Sequence, residues 1–261
     1  MGQPPTVSQR NVRKAGSVNL IVGASGGLGR RLAEQLAQQK QNLLLVSSDA
    51  RDLCALATDL KIRFEVQAEI LEANLSTREG VDQFLDDLKA HSQQLNAAFF
   101  PLGYSLTADQ MDLTAQQIDA IFSVNLISTI KTVQVLMAVS KNPTLTLAFF
   151  GSIAQSRGRN GNIVYASAKR GLTSFFESLK HRSFQKGQVR PYLFQIGYME
   201  SQQTLGKKLL FPVSDPNGVA ATVLTKIKTK PPGEFYVPGF WRLFCSLLRA
   251  LPWSVYSRLK F

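Results

Sequence analysis

Short apolar runs of strand length recur along the chain, at residues 18–22, 43–46, 64–67, 97–100, 145–150, 192–196 and 234–237. Between them apolar residues return at helical spacing. Leu28, Leu32 and Leu36 keep an i, i+4 stripe; Val81, Phe84, Leu85 and Leu88 make a second, and Val133, Leu136 and Met137 a third. Strands that alternate with helices imply a parallel sheet covered on both faces, and right-handed crossovers make that sheet doubly wound. The pattern predicts an α/β fold of Rossmann type, one domain over residues 18–239, with no internal repeat and no linker. Residues 198–218 break the rhythm: Ser201, Gln202, Gln203, Gly206, Lys207 and Lys208 lead to Phe211-Pro212, then to the turn Asp215-Pro216-Asn217-Gly218. An irregular stretch of this length after a late strand reads as a lid over a substrate or as a plain surface loop.

Composition narrows the setting. The cysteines, Cys54 and Cys245, form no CxxC pair and suggest a reducing, cytoplasmic compartment. His91 and His181 stand far apart, so no metal site is expected. The net charge of +12 admits a basic solvated surface, an anionic membrane or a phosphorylated ligand. No nucleic-acid recognition motif accompanies it, so no nucleic-acid partner is expected. Residues 1–17 are polar and lack a signal-peptide core. Met1-Gly2-Gln3-Pro4-Pro5-Thr6 fits the loose myristoylation pattern, but a flexible tail is the preferred reading. Residues 240–261 mix Phe240, Trp241, Leu243, Leu247 and Trp253 with Arg242, Arg249, Arg258 and Lys260, without an acid. The charges and Pro252 argue against a membrane-spanning helix. Two readings stay open: a basic amphipathic helix lying on the inner face of a membrane, or a helix packed on the domain or in an oligomer interface.

Chemistry enters with Gly23-Ala24-Ser25-Gly26-Gly27-Leu28-Gly29, directly after the first apolar run. Glycines let a tight turn bring backbone N–H groups against phosphate, and the following helix points its positive end there. That spacing differs from Gly-x-Gly-x-x-Gly, but the physics is shared. The second run ends in Val46-Ser47-Ser48-Asp49-Ala50-Arg51. An acid at that tip would bond the adenosine ribose and repel a 2′-phosphate. Ser47 stands there instead; Ser48 and the nearby Arg30, Arg31 and Arg51 can meet a phosphate. This favours NADP(H) over NAD(H), unless Asp49 occupies the tip.

Tyr165 and Lys169 lie four residues apart, on one face of a helix, and Ser152 precedes the tyrosine by thirteen residues. The ammonium is expected to lower the phenol's pKa. Tyr165 can then act as general acid toward a ketone or general base toward an alcohol. Lys169 would also hold the nicotinamide ribose, Ser152 would polarise the carbonyl, and Asn125 would hold a water joining Lys169 to solvent. The order of the full set carries the specificity, since each member alone is common.

The glycines Gly23, Gly27 and Gly29, with Asn125, Ser152, Tyr165 and Lys169, resemble the short-chain dehydrogenase/reductase family over roughly residues 18–240. The resemblance implies a seven-stranded sheet in order 3-2-1-4-5-6-7 and a homo-oligomer. It implies cofactor contacts from Gly23, Ser25, Gly26, Gly27, Leu28 and Gly29, from Asn74, Leu75, Gly103, Gly197 and Ser201, and from Tyr165 and Lys169, beside Ser47, Ser48 and Arg51. Departures stand at Phe100-Pro101-Leu102-Gly103 for the family's Asn-Asn-Ala-Gly, at Ile196-Gly197 for Pro-Gly, at Ser201 for a threonine and at Asn74 for an aspartate. Arg157-Gly158-Arg159-Asn160 and Tyr236-Val237-Pro238-Gly239-Phe240-Trp241-Arg242 are similar to a subgroup from bacterial surface-glycan synthesis. Its best-known member is the ketoreductase subunit of decaprenylphosphoryl-ribose 2-epimerase.

The expectation is an NAD(P)-dependent reductase that turns a ketone into a secondary alcohol. The preferred substrate is a keto sugar on a lipid phosphate or nucleotide, made by a flavoprotein oxidase partner. A lipid or other small carbonyl compound is the alternative. A non-catalytic NADP-binding regulator belongs to another class, and the full tetrad argues against it.

Overall fold

The computed structural model describes residues 18–91, 95–106, 109, 111–140, 142, 144–200 and 211–259. The tail 1–17, the middle of the expected lid and Ser201 lie outside the described residues. Seven strands, β1 (Val18–Val22), β2 (Asn42–Ser47), β3 (Ala68–Glu72), β4 (Leu95–Phe100), β5 (Leu145–Ser152), β6 (Val189–Ile196) and β7 (Glu234–Val237), form one sheet. Its order is β3-β2-β1-β4-β5-β6-β7, with every pairing parallel. Central strands of such a sheet are buried on both faces, which is why β5 is buried from Leu145 to Gly151 and almost wholly apolar.

One face of the sheet is covered by α1 (Gly27–Gln38), α2 (Ala50–Phe64) and α7 (Pro216–Thr229), through Leu32, Leu36, Leu56, Ala220 and Val223. The other is covered by α3 (Arg78–His91), α5 (Ser128–Val139) and α6 (Ile163–Lys186), through Phe84, Leu136, Leu172 and Phe176. Phe100 and Phe149 stack at 5.4 Å within that second core. Burying each such ring stabilises the fold by roughly 1.5–3 kcal/mol.

The third strand is displaced from its expected position at 64–67. Phe64 is the last residue of α2, continuing the helical stripe Leu53, Leu56, Leu60, and Glu65 leaves the helix at φ +54°. The strand begins at Ala68. It lies at the sheet edge, bonded to β2 alone, and carries Glu69 and Glu72, so no apolar run marks it.

α4 (Ala115–Phe122), a π-helical turn (Ser123–Ile127) and α5 run end to end. By length and composition this stretch would suffice to cross a membrane. Ile121, Val133 and Leu136 pack into the cores of the domain. The chain closes with α8 (Trp241–Ala250) and α9 (Trp253–Tyr256).

Candidate active site

The glycine turn follows β1 at the carboxyl edge of the sheet. Gly23 has φ +99°, and a Cβ there would press on Leu102 and the Pro101 carbonyl. A Cβ on Gly29 would sit 2.0 Å from the Gly23 carbonyl oxygen, so the helix closes on the turn only with glycine at that position. Gly26 is the N-cap of α1 and offers no side-chain cap. The first-turn N–H groups of Gly27, Leu28 and Gly29 are thus left for an outside acceptor, at the positive end of the helix. A Cβ on Gly27 would meet nothing within 4 Å, so there is open space before them. The cradle fits a pyrophosphate.

At the end of β2, buried Ser47 bonds Ser25 across 2.5 Å and ties the strand tip to the turn. Ser48 is exposed. Asp49 caps α2, its carboxylate accepting from the Asp52 N–H at 2.9 Å, so it is spent on the helix and Ser47 holds the tip. Two of the three arginines are also committed. Arg30 forks onto both Asp52 oxygens at 2.7 Å, and Arg31 pairs with Glu34 at 2.7 Å. Arg51 stays exposed in the first turn of α2, without an ion pair among the described residues. After β3, Asn74 Oδ1 accepts from the Ser76 N–H and hydroxyl, closing a turn, while buried Leu75 accepts from Ser123 through its carbonyl. Gly103 is exposed after β4, with room around its Cα.

Ser152 ends β5, and Tyr165 and Lys169 stand one turn apart on α6. The Ser152 hydroxyl lies close enough to the Tyr165 phenol to pull its proton affinity down, and its oxygen accepts from the Ala154 N–H at 3.2 Å. Lys169 is 2% exposed and donates to the Leu102 carbonyl at 2.6 Å and the Phe150 carbonyl at 2.8 Å. An ammonium has three hydrogens, so one remains for a ribose hydroxyl. Its Nζ lies 5.7 Å from the centre of the Tyr165 ring.

The proton affinities differ from expectation. Burial pushes the Tyr165 phenol up to about 12, against the opposing pull of the Ser152 hydrogen bond and the Arg159 charge. The ring keeps some exposed surface, so it is the packing around its hydroxyl that dominates. Burial pushes Lys169 down to about 7. The expected lowering of the phenol by the ammonium is therefore overturned: desolvation of both groups outweighs it, and the lysine itself is only half charged near neutrality.

Asn125 also has another task. It is buried in the π-turn, where Nδ2 donates to the carbonyls of Tyr104 (2.6 Å) and Ile121 (2.8 Å), and Oδ1 accepts from the Tyr104 N–H at 3.2 Å. Both amide hydrogens are spent, so a water held at this side chain would donate to the remaining lone pair of Oδ1. It clamps the segment after β4, two residues beyond the Leu102 carbonyl that takes Lys169.

Sequence reasoning missed Asp109. It is 1% exposed, and its carboxylate accepts from the Val164 N–H at 2.5 Å, capping α6 just before Tyr165. A cap supplied from 55 positions upstream leaves no local signature. Gly197, expected at the cofactor, has a packing reason as well: a Cβ there would lie 2.1 Å from the Trp241 indole nitrogen.

A cavity of about 270 Å³ opens between residues 153–159 and α8; Ser152 and Tyr165 do not line it, though its wall begins at Ile153, the residue after Ser152. Its wall is mainly apolar, with Ile153, Tyr198, Phe211, Trp241 and Phe244, and Arg157 and Arg159 are its two cations. Arg157 is tied down: it donates to the carbonyls of Leu248 (2.5 Å) and Leu251 (2.6 Å) and stacks on Tyr256 at 4.1 Å. Tyr256 in turn donates to the Gly158 carbonyl at 2.7 Å. Among the described residues Arg159 makes no ion pair.

With cradle, hydroxyl pair and buried lysine at one edge of a doubly wound sheet, the arrangement is that of a nicotinamide-dependent oxidoreductase. The family model for short chain dehydrogenase matches residues 17–208, and the chain belongs to that family. It is 24% identical over 213 residues to carbonyl reductase family member 4 of Xenopus tropicalis, covering 78% of this chain and 88% of that one. The fold matches the bulky-bulky ketone specific alcohol dehydrogenase of Comamonas testosteroni with a TM-score of 0.77 at 18% identity, over 94% and 95% of the chains. It matches a short-chain dehydrogenase of Sphingobium yanoikuyae in complex with NADPH with a TM-score of 0.75 at 17% identity, over 94% and 96%.

Proposed function

We propose that this oxidoreductase reduces a ketone to a secondary alcohol, with NADPH as the hydride source. The observation that carries the reading is Tyr165 and Lys169 one turn apart on α6, with Lys169 at 2% exposure and its Nζ 5.7 Å from the Tyr165 ring centre, and Ser152 at the end of β5 close to the phenol. A phenol pushed up to about 12 keeps its proton at neutral pH. It is poised as a donor, which suits reduction. Ser152 polarises the carbonyl oxygen and presents it to Tyr165. In its ammonium form Lys169 would hold the cofactor ribose with its remaining hydrogen, and that form can return a proton to the phenolate once Tyr165 has given its own away. The bound nicotinamide supplies the hydride. Gly27, Leu28 and Gly29 bind the pyrophosphate through their N–H groups. Ser48 and Arg51 meet the 2′-phosphate, a reading supported by the Asp49 cap, which keeps that carboxylate on its own helix.

The preferred substrate is a keto sugar on a lipid phosphate or nucleotide, delivered by an oxidase of the flavoprotein class. Two things support it: the Arg157–Asn160 and Tyr236–Arg242 resemblance, and a cavity that joins an apolar wall to the uncommitted Arg159. A neutral bulky or lipid ketone is the second reading, favoured by the same apolar wall and by the names of the relatives. The test is NADPH consumption with a panel holding a nucleotide-linked keto sugar, a phosphorylated ketone and neutral bulky ketones. Preference for the neutral compounds removes the sugar reading. No turnover with any of them, beside tight NADPH binding, favours a regulator.

A further inference from the structure

We propose that α8 and α9 form a docking face for an anionic lipid bilayer, reached without spanning it. One side of α8 is consumed by the protein: Trp241 and Cys245 are buried, and Phe244 and Leu248 line the cavity. The opposite side is also apolar. Phe240, Leu243 and Leu247 follow helical spacing, and Leu243 and Leu247 are 68% and 59% exposed. Trp253, 69% exposed, and Val255 add exposed apolar surface on α9. A helix with apolar residues on both sides needs two apolar neighbours, and the described residues provide one.

Charge selects the other. Arg242 and Arg258 are exposed at the two ends of the patch, and residues 240–261 contain no acid. A second copy of this chain docking by the same face would bring a two-fold interface in which an acid-free basic patch meets itself. An anionic headgroup layer satisfies both features: it takes the leucines and tryptophan into its acyl boundary and draws the arginines to its surface. The patch is also held rigidly. Arg157 bonds two carbonyls at the end of α8, Arg249 bonds Tyr236 at 3.2 Å, and Tyr256 bonds Gly158. The face is therefore presented ready-made, on the outside of the wall that encloses the cavity. The inference does not depend on the identity of the substrate.

The experiment is co-sedimentation of the whole chain with vesicles of phosphatidylglycerol and of phosphatidylcholine alone. Binding is expected to the anionic vesicles and to weaken as salt rises. Leu243→Gln with Leu247→Gln should weaken it on the order of 100-fold, by removing two buried aliphatic side chains from the interface. Arg242→Gln with Arg258→Gln should weaken it roughly 30-fold, at about fivefold per cation. All these positions are exposed, so melting temperature and NADPH binding should stay at wild-type values. The tail with Arg10, Arg13 and Lys14 is intact in every variant, so its share cancels. The proposal is overturned if the whole chain stays in the supernatant, if the leucine variant binds as well as wild type, or if the leucines prove instead to hold a dimer in size-exclusion chromatography.

Discussion

Lys169 and Tyr165 shift in opposite directions under one cause. Burial takes the amine down to about 7 and the phenol up to about 12, with the amine 5.7 Å from the ring centre. Both groups are driven toward their neutral forms. A neutral phenol is a proton donor; near pH 7 the lysine exists in both forms, and only its ammonium form can return a proton to the phenolate left behind.

Tyr165→Phe keeps the ring and its packing and removes the hydroxyl beside Ser152. Turnover should fall roughly 10²- to 10⁴-fold, the contribution of one general acid. NADPH fluorescence titration should show cofactor affinity close to wild type. Turnover near the wild-type rate would take the proton-donor role away from Tyr165.

Gly27→Ala separates fold from cofactor. Its Cβ would meet nothing within 4 Å, and alanine favours a helix over glycine, so thermal stability should be unchanged or slightly raised. The methyl group would occupy the space before the first-turn N–H groups, where the pyrophosphate must approach closely. NADPH affinity should drop at least tenfold. If affinity is retained, the phosphates lie elsewhere.

The buried amine makes stability depend on pH. The folded value of about 7 lies below the ordinary 10.5. Between those values the unfolded chain carries a proton that the folded chain has released. Stability therefore rises with pH through that window, fully gained above 10.5 and lost as pH falls through 7. The slope approaches about 1.4 kcal/mol per pH unit for one proton. The difference between wild type and Lys169→Met in urea unfolding, followed from pH 7 to pH 10, isolates this group. A flat difference would mean that Lys169 stays charged in the fold.

Asp109→Ala removes the acceptor that caps α6 at Val164. The loss should cost about 0.5–2 kcal/mol of stability. It should also lower kcat more than it raises KM, because the first turn of α6 positions Tyr165 and the cap itself touches no substrate. Asp109→Asn, which keeps an acceptor oxygen, should recover most of kcat. Equal losses in both variants would assign Asp109 a role beyond capping.

Ser201→Ala is expected to weaken NADPH binding by no more than about tenfold, since a neutral hydrogen bond contributes roughly 0.5–1.5 kcal/mol. The same titration checks it; a larger loss would make Ser201 a principal cofactor contact.

The parts of this protein visible in one dimension are those set by neighbours in the chain. Alternating strand and helix patterns reveal the doubly wound sheet because central parallel strands are apolar on both faces. The glycines reveal the turn because only they allow the backbone to fold on itself at Gly23 and let Gly29 close over it. Tyr165 and Lys169 share a face because a helix repeats every 3.6 residues. Where the pattern was silent, a partner distant in sequence decided. Phe64 belongs to α2 because the core beneath the helix accepts it, while β3 is held at the edge by β2 alone. Asp49 caps its helix and leaves the strand tip to Ser47. Asn125 clamps Tyr104 and has no hydrogen for a water. The two proton affinities follow from desolvation, which exists only once the chain has closed around both groups. The C-terminal helix shows the division most directly: its sequence determines that it is apolar and basic, and only the tertiary structure decides which apolar side the domain buries and which it leaves outside.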